Sequence, residues 1–172
     1  MGILDGNPKD EPLHYGEING IWQYSTKAKG AVSSLQAFHY HAGDKELKKV
    51  ISEMLDQARK EIKECDKILH DNGIPTSPAL PERPIAKLED IPMGARFSDP
   101  EIAAALSASV AVSLVECSQI MGMSIREDVG ALFMKYHGVK AATALSLLRL
   151  NKEKGWLIPP PLQLKRDELV HA

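Results

Sequence analysis

The sequence predicts an all-α protein, a four-helix bundle made of two up-down hairpins joined by one long crossover. Three observations predict it. Four segments carry apolar residues in alternating steps of three and four, the spacing of one helix face. Each segment is bounded by capping or breaking residues. Two of the three connections are only a few residues long, whereas the middle one, "IPTSPALPERPIAKLEDIPMGARF", holds five prolines and shows no helix or strand pattern.

The first helix is expected over 15–41, with Ile18, Ile21, Ser25, Ala28, Val32, Leu35 and His39 on one face. His14-x-x-Glu17 has the spacing of a capping box, although histidine is a poor N-cap. Gly43 is expected to stop it. The second covers 45–71. Asp44 is a good N-cap, and the seam reads Leu47, Ile51, Met54, Ala58, Glu61, Cys65 and Ile68, widened by Val50, Leu55, Ile62 and Leu69. Asn72-Gly73 with Pro75 beyond it is a C-terminal stop.

The third helix covers 99–122. Ser98 or Asp99 caps it, Pro100 suits the first turn, and Glu101 sits at the positive end of the helix dipole. Its seam reads Ile102, Leu106, Ser109, Ser113, Glu116, Ile120 and Met123. The fourth covers 125–153 and opens on Ser124-x-x-Glu127, a capping box. Its seam reads Ile125, Val129, Leu132, Tyr136, Val139, Thr143, Ser146 and Leu150, and Gly155 closes it. The tail, 156–172, contains "WLIPPPL", which its prolines keep extended; Trp156 and Leu157 are expected to lie against the bundle.

The third helix raises the question of a membrane. Its uncharged run from Ile102 to Val115 is 14 residues, short of the ~20 that a span requires, and no Lys/Arg asymmetry flanks it. A helix apolar on nearly all sides is then expected to be the central, buried one. Its small residues allow close approach by a neighbouring helix or by a second subunit.

Short connections make helices one and two antiparallel neighbours, and likewise three and four. The long linker can reach ~80 Å when extended, against ~40 Å for a helix of this length. It can therefore run the length of the bundle and leave helices two and three parallel, and one such crossover is the ferritin-like plan. The 172 residues suffice for a single domain with a real core.

Composition narrows function. Twenty-one basic and 23 acidic side chains give a formal charge of −2, too balanced for a nucleic-acid surface. The start "MGILDGNPKDEPLH" has neither a basic nor an apolar leader region. Cys65 and Cys117 form no CxxC pair and are expected to be buried, reduced thiols. Gly-x-Ser-x-Gly, P-loop, dinucleotide-turn and His-Glu-x-x-His motifs are all missing.

The segments "EINGIWQYS", "NGIPTSP", "RFSD", "SIREDVGALF" and "KGWLIPPPL" occur in that order. In their order and spacing they resemble a family of ferritin-like proteins of unknown function from endospore-forming Bacillus-type bacteria, related to spore coat protein F. The resemblance runs from about Glu17 to Leu162. It implies a four-helix ferritin-like fold and no established enzymatic activity. Many relatives carry two such domains in tandem, whereas this chain has the length of one. It departs from the family in the linker, which is proline-rich where relatives carry a Gly-Phe and an Asp-Val pair.

Ferritin-like di-metal proteins place a Glu on each of two helices and Glu-x-x-His on each of the other two. Here Glu61 and Glu116 stand at seam positions of separate helices, but their i+3 residues are Glu64 and Gln119, and no Glu-x-x-His occurs. No metal or other cofactor is expected. If a reduced site exists, its candidate ligands are Glu61, Glu116 and His137. The alternative for a buried Glu is an internal polar cluster, paired with Lys or Arg or bonded to Ser109, Ser113, Tyr136 or Thr143. "FHYH", Phe38 to His41, is best read as aromatic packing near a helix end.

The expectation is therefore a non-catalytic structural or interaction protein, cytoplasmic or spore-associated. Its partners are expected to be proteins, including a second copy in a homodimer, with no nucleic acid and no membrane span. A divergent metal-binding protein using buried carboxylates is the alternative.

Overall fold

The computed structural model describes residues 11–163. Four long helices follow in order: α1 (Tyr15–His41), α2 (Lys45–Asp71), α3 (Asp99–Met123) and α4 (Glu127–Glu153). Among the described residues there is no strand.

Polar contacts at the helix ends establish the topology. His14 at the start of α1 lies 3.0 Å from the carbonyl of Met123 at the end of α3, so these two helices are antiparallel. Lys154, just past α4, pairs with Asp44 at 2.9 Å and Glu46 at 2.5 Å, at the start of α2. Helices α2 and α4 are therefore antiparallel too, and α2 and α3 run parallel. The crossover must return the full length of the bundle, and it does so along the groove between α1 and α2. Pro75 O accepts from the Trp22 indole at 3.1 Å. Lys29 Nζ donates to Ser77 O at 2.6 Å. Arg83 Nε donates to Ser33 O at 2.8 Å. At the far end Phe97 stacks edge-on against Phe38, centroids 5.6 Å apart. The linker is a strap, extended apart from two short 3-10 turns, Leu88–Asp90 and Met93–Ala95. Lys29 and Gln36, polar residues on α1, are buried beneath it.

Two carboxylates latch the hairpins to each other. Asp99, in the first turn of α3, accepts from Gly43 N at 2.8 Å and Asp44 N at 3.0 Å, in the turn of the first hairpin. Glu17, in the first turn of α1, accepts from Ile125 N and Arg126 N, both at 2.9 Å, in the turn of the second. Glu17 also accepts from His14 N at 3.1 Å, and His14 Nδ1 accepts from Gly16 N, so the expected capping box forms despite its histidine.

The second latch corrects the expected start of α4. Ser124 does not cap that helix; its hydroxyl donates to Ile120 O at 2.6 Å and ends α3. Helix α4 begins at Glu127, two residues later than expected, with Arg126 extended as its N-cap, and Glu17 accepts from the Ile125 and Arg126 amides in the turn before it. Ile125, expected in the seam, is exposed. The other caps form as expected, with Asp44 on Glu46 N and Leu47 N, and Glu101 reaching back to Ser98 N. Gly73 and Gly155 adopt φ of +72° and +69° just beyond α2 and α4, the left-handed conformation that glycine takes without a Cβ penalty.

The core has two halves. Ile51, Ile102, Leu106, Val110 and Leu147 centre one; Ile21, Tyr24, Cys65, Phe133 and Tyr136 centre the other. In α3 the buried row is Ile102, Leu106, Val110, Cys117 and Ile120. Ser109, Ser113 and Glu116 were expected in it. With Ala103, also fully buried, the row keeps a regular spacing through 103, 106, 110, 117 and 120, so the expected seam is phased one residue early at Ser109 and Glu116. In α4, Phe133 and Leu147 are buried where Leu132 and Ser146 were expected. Nor is α3 buried all round: Val112 and Val115 are more than half exposed. Trp156 packs on the first half of the core, but Leu157, expected beside it, is exposed. Residues 164–172 of the expected tail lie outside the described residues.

The two latches should differ in strength. Glu17 is fully buried, and its loss strands buried donors, at 1–3 kcal/mol for each unsatisfied group. Glu17→Ala is expected to lower the urea unfolding free energy by about 2–4 kcal/mol. Asp99→Ala, whose partner Gly43 is solvent-exposed, should cost about 1 kcal/mol or less. Equal losses would show that burial does not separate the two.

Candidate functional site

At the waist of the bundle Glu61, from α2, is 1% exposed. Its Oε2 accepts from Lys140 Nζ of α4 at 2.9 Å and from the Tyr24 hydroxyl of α1 at 3.1 Å. Its Oε1 accepts from Gln57 Nε2 at 2.9 Å. One turn on, Glu64 accepts from Lys135 Nζ at 2.9 Å and the Tyr136 hydroxyl at 2.8 Å. Asp66 is paired with Lys29 at 2.8 Å and accepts from the Ser25 hydroxyl at 2.5 Å. Glu116, from α3, is paired with Lys27 of α1. Every one of these carboxylates is matched by a lysine from another helix.

Between them lies an aromatic cluster. Tyr24 meets Phe133 edge-on at 5.0 Å and stacks on Tyr136 at 5.7 Å, and Phe133 meets Tyr136 at 5.4 Å. Burial, reinforced by the negative charge of Glu61, raises the Tyr24 phenol far above its usual range. Burial does the same to Tyr136, with Cys65 and Glu64 adding to it. Burial pushes the Cys65 thiol up to about 12 and raises Cys117 as well. Such thiols are protonated and unreactive at neutral pH. The Cys117 sulfur sits 3.8 Å from the Tyr24 hydroxyl, and both cysteines are free and buried as expected. Burial opposes ionisation of Glu64, but Lys135 and the Tyr136 hydroxyl together hold it below the usual carboxylate range.

A cleft of about 480 Å³ opens between α1 and α3, walled by residues such as Ala31, Leu35, Ala108 and Val112. Glu61 with Lys140 and Glu116 with Lys27 both line it. The structure thus brings Glu61 and Glu116 to one cleft but holds them in separate ion pairs. His137 is half-buried on α4 and lines no part of the cleft. Among the described residues no three His, Cys, Asp or Glu side chains form a group that could hold a metal ion. A carboxylate-bridged metal centre does not fit this donor set. Lysine ammoniums stand where cations would have to stand, and Glu61 already accepts three hydrogen bonds.

Ser113 and Thr143, considered as donors to the glutamates, bond instead to carbonyls of their own helices. The partners that reading the sequence missed are Lys140, Lys135, Lys27 and Tyr24. Lys140 carried the one available signal, a charge four residues after Tyr136 on an otherwise inward face. "FHYH" packs as expected: His41 faces the Phe97 ring at 5.2 Å and accepts from Phe97 N at 3.0 Å. Burial, with Lys48 nearby, lowers the pKa of His39.

Fold and site together define a class, a helical bundle with an internal, lysine-neutralised carboxylate cluster and a strapped first hairpin. The chain belongs to the family described as "Protein of unknown function (DUF3231)", which matches residues 1–169. It is 51% identical over 166 residues to "Uncharacterized protein YvdQ" of Bacillus subtilis (strain 168), spanning 96% of this chain and 98% of that one. It is 48% identical to a "putative spore coat protein" of Bacillus halodurans C-125, whose crystal structure covers 92% of this chain and 100% of its own at a TM-score of 0.90. The resemblance carried by the five motifs is therefore borne out as family membership among Bacillus proteins.

The ion pair and the cluster each generate an expectation. Removing one partner of a buried pair costs about 3–5 kcal/mol, whereas replacing both is often nearly neutral. Lys140→Met should destabilise by that order, and adding Glu61→Gln should recover most of the loss in a double-mutant urea cycle. Purely additive losses would mean that the two side chains do not depend on each other. The second expectation is alkaline. Cys65, Tyr24 and Tyr136 hold their protons to higher pH in the folded state than in the unfolded chain. Their contribution is complete below the unfolded values and declines as pH rises. The urea midpoint should fall from about pH 9 upward, and Cys65→Ala should flatten the fall; a midpoint constant from pH 8 to 11 would contradict this.

Proposed function

We propose that the protein is a non-catalytic structural component of ferritin-like architecture that acts by association with proteins, its own copies included, and is spore-associated. The observation that carries this reading is the saturation of Glu61. The most buried carboxylate of the waist is neutralised by Lys140 and bonded to Tyr24 and Gln57, which leaves it a role in holding helices in register. The protonated thiols and phenols beside it offer no nucleophile at neutral pH. Spore association is supported by the name of the Bacillus halodurans relative.

The decisive experiment is elemental analysis of full-length protein purified without chelator, with Glu61→Gln and Glu116→Gln alongside. Well-folded protein with iron, manganese and zinc far below one per chain is expected. Near-stoichiometric metal, lost in either variant, would overturn the reading and make these glutamates ligands. A fluorescent fusion expressed in a sporulating Bacillus host should concentrate on the developing spore; uniform fluorescence in the mother cell would argue against the spore assignment.

A further inference from the structure

The outer faces of the two hairpins are finished differently. The α1–α2 groove is covered by the crossover strap. Over the α3–α4 hairpin no described segment lies, and that face is apolar. On α3 the residues Ala104, Ala108, Ala111, Val115, Ser118 and Gly122 recur in steps of four and three, and every one is exposed, Ala108 at the edge where it also borders the cleft toward α1. On α4 an equally regular exposed row runs from Glu127 through Met134, Ala141, Leu145 and Leu148 to Lys152. Val115 is 58% exposed, Met134 64% and Leu145 47%. Rows in three-four alternation are the pattern of a helix that meets another helix. Both helices therefore carry a second seam on the side away from their own core.

We propose that this face is covered by the same face of a second copy, related by a two-fold axis lying in the interface and perpendicular to the helices. The inference rests on the reading of the protein as one that acts by association. Three features favour a second copy as the occupant. The first is area: two helices of this length present a face roughly 37 Å by 20 Å, on the order of 700 Å². That approaches the ~800 Å² per partner of a stable interface and exceeds what monomers usually leave bare.

The second is shape. Under this axis α3 lies antiparallel on α3 of the second copy and α4 on α4. Met134 then meets Leu145, Ala131 meets Leu148, and Gly138 meets Ala141 at the crossing point. On α3 the row is Ala, Ser and Gly except for Val115, so the helices can approach closely, within the roughly 8–10 Å range of packed helices.

The third is charge. The α4 row is negative at its start, Glu127, and positive at its end, where the exposed Arg149 and Lys152 stand. The perpendicular two-fold places Glu127 against Lys152 of the second copy at both ends. Self-complementarity of this kind is what an isologous contact demands.

A lipid surface is the competing occupant, since the segment Met93–Met123 is long and apolar enough to cross a membrane by length and composition. The pairing of Glu116 with Lys27 ties α3 to α1 and argues against its crossing a bilayer, and the opposite charges at the two ends of the α4 row favour a protein occupant over a lipid surface.

The test is sedimentation equilibrium of the full-length protein from 1 to 100 µM. A species of twice the 18.9 kDa chain mass is expected. Val115→Glu with Leu145→Glu alters residues exposed in the single chain, so it should yield a folded monomer of unchanged helical circular dichroism. Glu127→Lys and Lys152→Glu should each raise the dimer Kd about tenfold, and together should restore it to within about threefold. A wild-type monomer at 100 µM overturns the inference. A dimer indifferent to Val115→Glu with Leu145→Glu also overturns it, but leaves the associative reading standing with another interface. A double charge exchange that fails to restore the dimer refutes the axis. Wild type that stays monomeric and floats with phosphatidylglycerol–phosphatidylcholine vesicles assigns the face to lipid instead.

Discussion

The bundle depends on how its two hairpins are held to each other. Within each hairpin the helices meet along their length, but between hairpins a cleft separates α1 from α3 over much of the middle. Apolar packing is weakened along such a junction, because even a sub-ångström gap forfeits about a quarter to a half of a dispersion contact. The ends are held instead by Glu17 and Asp99, each in the first turn of one hairpin and each gripping the turn of the other. A carboxylate on a pair of backbone donors is a strong, directional contact. It also sets the axial register of the hairpins, which a smooth Ala/Ser wall on α3 could not do.

The waist solves the same problem with charge. Glu61 to Lys140 and Glu64 to Lys135 join α2 to α4, Asp66 to Lys29 joins α1 to α2, and Glu116 to Lys27 joins α1 to α3. A di-metal bundle achieves a comparable cross-linking through cations shared among carboxylates. A lysine ammonium provides the countercharge without an ion, but each lysine serves one helix pair, and coordination at a vacant position is given up. Chemistry of the metal kind requires that vacancy. The exchange of cations for lysines is thus why this waist reads as architecture.

Much of this was legible in the sequence. Four helices, three of their four starts, the hairpin pairing and the full-length crossover follow from periodicity, caps and the reach of a proline-rich chain. What escaped was what one helix does to another. Ser124-x-x-Glu127 satisfies the local rule for a cap, yet Glu17 takes over that turn from more than a hundred positions away, and no local pattern reports such a contact. Glu116 looked central because α3 has so few polar residues, and a seven-residue seam placed it inward. The buried seam runs through Ala103, Val110 and Cys117, one residue further on, so Cys117 is buried and Glu116 reaches Lys27 at the cleft. Lys29 and Gln36 look like surface residues until the strap is laid over them.

The strap also explains why the hairpins cannot be interchangeable. A parallel α2 and α3 oblige the linker to travel the whole bundle, and it travels on the first hairpin. There it meets polar groups of α1 and α2, through Ser77, Glu82 and Arg83. The α1–α2 face therefore evolved polar, as the underside of a covered groove. The α3–α4 face has no described cover, and it carries two rows of mostly small or apolar exposed residues, of which the α4 row ends in opposite charges. An exposed face under no constraint would be expected to gather scattered Lys and Glu, as the outer side of α2 does in "ARKEIKECDK". Under the proposed self-association, an identical face turned end for end would supply matched length, small residues on α3 and opposed charges at the ends of α4.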